Sequence, residues 1–413
     1  MDRFVFIIIT LIMQSLPMSA QESGAFADNI KSLQVNANGE WGEQPVMLLG
    51  GGNYVEISFD DLQHNFVRYT YSIIHCNADW QQSDLIRSEY MTGFDDNRID
   101  DYDQSTTTQM DYNHYSFVLP NDDVQLLVSG NYVVNIFEDG EDEPVARACF
   151  SVLEPHLGIS MSVSNNTDID TYQSHQQLSF SINYSGFDTR NAIDEIIPVV
   201  RQNNRWDNSV TNLKPSYMRV NELIYEHNRN LIFEGGNEYR RFEILDRHVP
   251  TMRVDNMRFD GDYYHAYVMT DEQRTAYLYD QDQDGRYLVR NGNNEDNETE
   301  SDYFFTHFVL VMPDIPGGSL YINGDLTNNR LAPEYKMEYN LLEHAYEIVL
   351  PLKQGSYNYQ YLFVRDGDYV GSTFPAEGSF HQTENEYSVY VYHRAFGSRY
   401  DRLVAFKTIK FEQ

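Results

Sequence analysis

The fold is indicated first by residues 132–153, YVVNIFEDGEDEPVARACFSVL. Short runs in which apolar and polar residues alternate, at 132–138 and 146–153, are typical of half-buried β-strands. The Asp139–Gly140 pair between them supplies residue types that tight turns favour. The stretch therefore predicts two strands connected by a turn.

The same pattern continues on both sides, and helical periodicity is almost absent. Tyr and Phe are abundant, with 32 and 23 residues, and most apolar runs end at Gly, Asn, Asp or Pro. Further strands are predicted at 54–59, 66–75, 115–119, 157–163, 178–184, 196–202, 223–227, 239–245, 263–269, 286–289, 303–312, 319–322, 346–350, 355–364 and 387–392. We predict an all-β fold of tandem immunoglobulin-like β-sandwich domains.

About 390 residues after the leader are too many for one hydrophobic core, so several domains are expected. Glu154–Pro155 is a natural joint, and residues 291–300 are polar enough to form an acidic linker or a long loop. The predicted division is an N-terminal sandwich at 21–155, a middle β domain with the acidic linker at 156–300, and a C-terminal sandwich with its tail at 301–413.

Residues 1–20 have the pattern of a secretory signal peptide. Arg3 is basic, residues 4–13 are continuously apolar, and Ser19–Ala20 offers a cleavage site before Gln21. Ten apolar residues are too few to cross a membrane as a helix, and no later stretch is long enough. An exported protein without a membrane span is expected.

The formal net charge of −34 reflects 63 acidic against 29 basic residues. Nucleic acid is therefore excluded as a partner, because binding phosphates requires a surplus of Lys and Arg. The chain has two cysteines, Cys76 and Cys149, which could pair once in an oxidising compartment or serve as small buried apolar residues.

His75 and Cys76 are neighbours on a predicted strand and point to opposite faces, so they cannot form a catalytic dyad. Trp80 is expected to anchor the following loop to the core. The acidic segment 95–103 around Arg98 could bind a cation or a basic partner segment, although an exposed loop whose acids are solvated by water is the commoner explanation.

Asp280, Asp282 and Asp284, followed by Gly285, have the alternating carboxylates of a calcium loop. The twelfth position, which should supply a bidentate Glu, is Asn291, and a strand is predicted after the glycine. A hairpin turn explains the same residues, and calcium binding is left open.

No motif of a known catalytic class is present: there is no G-x-S-x-G, H-E-x-x-H or Walker sequence. We predict a binding protein that is not an enzyme, and we assign no catalytic, cofactor-binding or metal-binding residues. The residues that bind a partner stay unknown at this stage.

Several blocks of the sequence closely resemble the plug proteins of the type IX secretion system of Bacteroidota. The longest are IHCNADWQQSDL at 74–85, SEYMTGFD at 88–95 and RAFGSRYDR at 394–402. Shorter blocks are RIDDY at 98–102, HY at 114–115, SGNY at 129–132, NLKP at 212–215, GGNE at 235–238 and QTENEY at 382–387. The resemblance runs in the same order from about residue 29 to residue 403, which is nearly all of the chain after the leader, and none of the blocks is catalytic.

The resemblance implies a periplasmic subunit that binds the outer-membrane translocon barrel and closes its periplasmic opening when no substrate is passing. It implies no cofactor. Through that partner, the protein would be associated with the outer membrane without spanning it.

The C-terminal region also resembles the early-set immunoglobulin module of glycogen-binding domains, through LYINGDL at 320–326 and GSYNYQY at 355–361. An alternative function is therefore a periplasmic carbohydrate-binding or glycosidase-accessory protein. Sugar binding in such modules depends on aromatic residues after the first strand, where this chain has Leu326, Asn329 and Arg330.

Overall fold

The structure, a computed structural model, describes residues 21–63, 65–293 and 296–412. The signal peptide predicted for residues 1–20 lies outside the described residues. About 46% of the residues are in strands and 5% in helices, in several antiparallel sheets. The predicted all-β fold of sandwich domains is confirmed.

The first unit, residues 21–155, is a sandwich of two main sheets. Its strands are β1 (Gly24–Ala25), β2 (Ile30–Ala37), β3 (Val46–Leu48), β4 (Val55–Asp61), β5 (Tyr69–Cys76), β6 (Met91–Thr92), β7 (Asn97–Ile99), β8 (Tyr102–Gln104), β9 (Asn113–Leu119), β10 (Gln125–Leu126), β11 (Gly130–Glu138) and β12 (Ala146–Leu153), with the short helix α1 (Arg87–Tyr90).

One sheet of this unit has the strand order β1-β12-β11-β5-β7, with β3 parallel to β12, and the other has the order β2-β4-β9-β8. Alternate side chains of each sheet point inward, as the pleat requires. Phe59 on β4 stacks on Tyr115 of β9 with ring centroids 5.2 Å apart, and the edge of Tyr69 on β5 meets both rings. These aromatic contacts hold the two sheets together.

The second unit begins with residues 156–234. Its elements in this part are β13 (Gly158–Ser164), β14 (His175–Asn183), α2 (Ala192–Glu195), β15 (Ile196–Gln202), β16 (Tyr217–Arg219), β17 (Glu222–Tyr225) and β18 (Ile232–Glu234). One sheet has the order β13-β14-β17-β16, and β18 also pairs with β14.

The third unit comprises residues 235–384. Its elements are β19 (Arg240–Ile244), β20 (Val254–Phe259), β21 (Tyr264–Val268), β22 (Asp271–Glu272), β23 (Tyr287–Val289), α3 (Asn297–Glu300), β24 (Tyr303–Val311), β25 (Gly318–Asn323), β26 (Glu338–Asn340), β27 (Ala345–Lys353) and β28 (Gly355–Arg365). Strand β28 pairs with β19, β23 and β25, and faces a sheet of order β20-β21-β24-β27-β26. Its alternate residues Tyr357, Tyr359 and Tyr361 fill the core between the two sheets.

The chain then returns to the second unit through β29 (Glu386–His393) and β30 (Arg402–Lys410). Strand β29 pairs antiparallel with β15 on one side and with β30 on the other. Side chains from both parts of the chain, such as Leu178 and Val389, share one hydrophobic core. The third unit is thus an insertion within the second.

The predicted domain boundaries at residues 155 and 300 stay predictions. The pairing of strands after residue 155 does not follow the predicted division at residue 300. Strand β19 pairs with β28 across the boundary at 300. The described parts of the predicted linker, residues 291–293 and 296–300, pack against the fold: Asn291 and Thr299 are buried, and α3 spans Asn297–Glu300.

Candidate functional site

The three acids of the possible calcium loop do not converge on one point. Asp280 pairs with Arg241 at 2.7 Å, Asp282 accepts a backbone N–H, and Asp284 accepts from Lys410 Nζ at 2.7 Å. Burial, with the nearby charge of Asp284, raises the pKa of Asp282 to about 8. Across the described residues, no group of three or more His, Cys, Asp or Glu side chains is placed to hold a metal ion.

His75 is a buried packing residue. Its Nδ1 lies 2.9 Å from Ser83 Oγ and its Nε2 lies 3.2 Å from the Ser129 carbonyl oxygen. Burial lowers the pKa of His75 to about 4, so the imidazole is neutral near pH 7. Cys76 belongs to a separate cluster with Trp80, which anchors its loop as expected.

Cys76 and Cys149 are free and buried. They lie on β5 and β12 with β11 between them and are offset by two residues along the strands, which puts their Cα atoms about 11 to 12 Å apart at the usual strand dimensions. That separation exceeds the roughly 7 Å limit for a disulfide, so the pairing considered from the sequence is wrong. Burial raises the pKa of both thiols, that of Cys149 to about 12.

The acidic segment 95–103 lies on the surface. Asp95 forms an ion pair with Arg87, and the other carboxylates of the segment are exposed. Asn97 and Ile99 are buried and fix the segment to the sheet through β7. A cation-binding or partner-binding role for these acids stays a prediction.

A first junction connects the first unit to the end of the second. Asp401 Oδ2 accepts the Ala78 N–H at 3.0 Å, and the Asp401 N–H donates to Asn77 Oδ1 at 3.2 Å. Nearby, the Tyr392 hydroxyl donates to Asn131 Oδ1 at 2.9 Å. Buried polar groups are thus satisfied between residues more than 250 positions apart.

The blocks 74–85, 129–132 and 394–402 meet at this first junction. Gly130 lies between them with a φ of +139°, and a Cβ there would lie 2.3 Å from His75 Nε2 and 3.0 Å from a carbonyl oxygen of the 394–402 block. Glycine is required because any side chain would push these parts apart.

A second junction lies where the chain enters and leaves the third unit. The Asn385 side-chain amide donates to the Gly235 carbonyl at 2.8 Å and to Gln176 Oε1 at 3.0 Å. The Thr383 hydroxyl donates to the Gly236 carbonyl at 2.9 Å. The blocks 235–238 and 382–387 are therefore packed side by side.

A third junction connects the first and third units through the fully buried Asp60. Its carboxylate accepts from Lys353 Nζ at 2.7 Å and from the Tyr303 hydroxyl at 2.6 Å, and lies 2.7 Å from His114 Nδ1. Lys353 also donates to the Glu298 carbonyl at 2.6 Å. Burial alone would raise the pKa of Asp60, but Lys353 and His114 hold it below its ordinary value. No motif or spacing in the sequence indicated this site.

The loop after β25, which contains Leu326, Asn329 and Arg330, packs against the first unit. Asn328 Nδ2 donates to the Leu33 carbonyl at 3.1 Å. Arg330 donates to the Ala25 carbonyl at 3.3 Å and lies 5.1 Å from the ring centre of Phe26. The observed packing therefore gives no support to sugar binding by this loop.

Two loops of the first junction continue to the surface and contact each other there; we call residues 84–96 and 394–401 the loop cluster. The Asp84 N–H donates to the Arg399 carbonyl at 3.3 Å, and the Arg399 guanidinium pairs with Glu89. These contacts brace the two loops.

The loop cluster exposes three large apolar side chains. Ile86, Phe94 and Phe396 are exposed by 63%, 79% and 82%. Ile86 and Phe94 adjoin the paired residues Arg87 and Asp95, and the Phe396 ring centre lies 5.6 Å from the guanidinium carbon of Arg190. Contiguous exposed apolar side chains often mark a site of contact with another molecule. Phe94 and Phe396 both lie in blocks that resemble the plug proteins. In the sequence, the sign of this surface is an apolar residue within a polar loop, from which no contact residue was predicted.

In the described part of the chain, no helix is long and apolar enough to cross a membrane.

Comparison with known proteins agrees with this arrangement. The family described as "Type 9 secretion system plug protein 1st domain" matches residues 30–154. A crystal structure of a hypothetical protein from Parabacteroides merdae ATCC 43184 is 48% identical with a TM-score of 0.93, and the match covers 94% of this chain and 99% of that one. A second structure, from Corynebacterium diphtheriae, is 9% identical over 92% of each chain with a TM-score of 0.14, which is too low to indicate a shared fold. The curated proteins give no match. The chain belongs to the plug protein family of the type IX secretion system.

Proposed function

We propose that this chain is a periplasmic plug subunit that binds the outer-membrane translocon barrel and closes its periplasmic opening in the absence of substrate. Family membership supports a plug role in type IX secretion. The proposed binding and closure rest on one observation: two braced loops expose Ile86, Phe94 and Phe396, and the units behind them are connected at three junctions.

Closing an opening requires a body that keeps its shape under load. The three junctions place Asp60, Asn385 and Asp401 in buried polar networks that connect the units. Such networks resist rearrangement because separating the units would leave buried polar groups unpaired. The units are therefore expected to act as one rigid obstacle.

The loop cluster is the surface that we propose contacts the barrel. Aromatic residues often dominate the binding energy of interfaces, and loops that are already ordered lose little conformational entropy on binding. The ion pair of Arg399 with Glu89 and that of Arg87 with Asp95 order these loops before any partner arrives.

The binding test is co-purification of the tagged protein from detergent-solubilised envelopes. The variant Phe94→Ser/Phe396→Ser should reduce recovery of the barrel at least tenfold, because two exposed anchors are lost. The matched control is Leu341→Ser/Leu342→Ser, which removes two exposed apolar residues of the third unit, 76% and 89% exposed. Equal recovery with both variants would reject the loop cluster as the contact surface.

The closure test is separate. Deleting the chain should allow small hydrophilic dyes through the barrel, and the Phe94→Ser/Phe396→Ser variant should leak similarly. If the barrel co-purifies normally but permeability is unchanged by deletion, the protein binds the barrel without closing it, and the gating part of the proposal is wrong.

A further inference from the structure

A cavity of about 110 Å³ lies where the three units meet. The protein has three tryptophans, Trp41, Trp80 and Trp206, and all three line this cavity. Trp80 and Trp206 meet edge to face with centroids 5.2 Å apart, and Trp41 Nε1 donates to the Tyr287 carbonyl at 2.8 Å. Aromatic rings therefore form part of the lining, together with polar side chains such as Gln44 and Asn204.

Arg201 of β15 also lines the cavity and is only 5% exposed. Its Nε donates to Ser209 Oγ at 2.9 Å. Within the described residues, its two terminal nitrogens donate no hydrogen bond, and no carboxylate lies within ion-pair distance of it. Both terminal nitrogens keep some access to solvent, although the residue as a whole is buried.

Aromatic rings surround the guanidinium of Arg201. Its central carbon lies 4.0 Å from the ring centre of Trp206, 5.6 Å from that of Tyr390 and 5.8 Å from that of Trp80. Cation–π contacts stabilise the charge through the face of the guanidinium. They leave the N–H groups at its edge without acceptors, and these groups are the ones that bind planar anions.

No nearby carboxylate of the described residues contacts the terminal nitrogens of Arg201. Asp207 is held by Arg205, with contacts of 3.0 and 2.5 Å. Glu22 acts on Arg201 only through space, and burial raises the pKa of Glu22. Asp325, also in the lining, accepts from the side chain of a neighbouring asparagine at 2.6 Å.

The other buried cation in the lining is already neutralised. Arg286 pairs with Glu386 at 2.9 Å and lies 3.5 Å from a second carboxylate, that of Asp284. Arg201 is therefore the cation of the lining whose terminal nitrogens are not taken by a carboxylate of the described residues, while Glu43 and Asp325 bring negative charge to the same cavity, which favours a monoanion over a dianion. The volume is that of several water molecules, which limits the ligand to a few heavy atoms.

We propose that this cavity binds a small carboxylate anion, such as formate or acetate, held by the two terminal nitrogens of Arg201. A planar carboxylate matches the guanidinium edge in a bidentate arrangement. The short apolar part of the anion would lie against the tryptophan rings. This site is independent of the proposed plug function.

The test uses intrinsic fluorescence, because every tryptophan of the chain is at the cavity. The mature protein is titrated with sodium acetate and, separately, with sodium chloride and sodium sulfate at equal ionic strength. A saturable change with acetate that chloride and sulfate do not reproduce is expected. The same response to all three salts, or no saturable response to acetate, would overturn the proposal.

Three variants identify the residue that binds. Arg201→Met should weaken acetate binding by about 10- to 100-fold, since a charged hydrogen-bonded contact is lost. Arg201→Lys keeps the positive charge but not the paired terminal nitrogens of the guanidinium, so it should bind acetate with intermediate affinity. Glu22→Gln removes a nearby negative charge and should bind acetate more tightly than wild type. Unchanged affinity in Arg201→Met, with a native circular dichroism spectrum, would reject the site. If acetate changes the fluorescence of Glu22→Gln but not of the wild type, the carboxylate of Glu22 fills the site in the wild type, and the proposal that the cavity binds a free anion is overturned.

Discussion

Replacing Lys353 by Met tests whether the buried contact with Asp60 connects the first and third units. The carboxylate of Asp60 is fully buried, and the substitution removes its only Lys or Arg partner within the described residues. Breaking a buried pair in this way costs about 3 to 5 kcal/mol, because the remaining charge stays buried with only Tyr303 and His114 as its partners. For a protein whose total stability is about 5 to 15 kcal/mol, this is a large loss.

The assay is equilibrium urea unfolding followed by tryptophan fluorescence, which reports on the region where the units meet. With a slope of about 3 kcal/mol per molar urea, the midpoint should fall by about 1 M or more. The matched control is Lys214→Met, which breaks an exposed pair with Asp194 at 3.3 Å. Such a pair contributes about 0 to 1 kcal/mol, so its midpoint should hardly move.

The loss should also depend on pH and on the partner. The pKa of Asp60 is lowered in the folded protein, so its stabilising contribution is present above its unfolded value of about 3.9 and is lost as pH falls through the folded value. The midpoints of wild type and Lys353→Met should therefore converge in acid. Adding Asp60→Asn to Lys353→Met should recover part of the loss. Equal midpoints for Lys353→Met and Lys214→Met at pH 7 would refute the reasoning.

Three further predictions concern buried groups. Burial raises the pKa of Glu238 to about 7, so its stabilising contribution is lost as pH rises through that value. The variant Glu238→Gln should therefore be about 2 kcal/mol more stable than wild type at pH 8.5 and nearly equal at pH 4. Thermal melts that show no such pH-dependent gain would contradict this. Cys76 and Cys149 should resist iodoacetamide in the native protein and both react in urea, as mass spectrometry can show; rapid native labelling would argue against their burial. In urea unfolding, Gly130→Ala should destabilise the protein by about 2 to 4 kcal/mol. Gly140 also has a positive φ but has open space around it, so Gly140→Ala should cost about 1 kcal/mol. Similar costs for the two variants would rule out the clash at position 130.

Most strands could be predicted because their letters alternate. Residues 54–59 and 115–119 correspond to β4 and β9 within two residues at each end. Strand β2 was missed because it contains a bulge between Lys31 and Gln34, where Ser32 adopts a φ of +52°. The bulge shifts the inward-facing positions by one, so the apolar residues of β2 no longer alternate regularly.

The pairing of strands and the buried polar contacts could not be predicted in the same way. Strand β15 pairs with β29, nearly 190 residues later, and nothing in either segment specifies its partner. Asp60 and Lys353 look like ordinary surface residues when read alone, and only the fold makes them a buried pair. The loop cluster was partly visible, since Phe94 and Phe396 stand in polar surroundings.

The late return of β29 and β30 sets the order in which the protein can be completed. When the chain emerges from a ribosome or an export channel, β15 appears well before the two strands that complete its sheet. Until residues 386–410 arrive, its edge and the apolar side chains of Val199 and Val200 lack their final neighbours. With this topology, the sheet of β15 can be completed only after residues 386–410 have been delivered, and until then its unpaired edge is open to pairing with other chains.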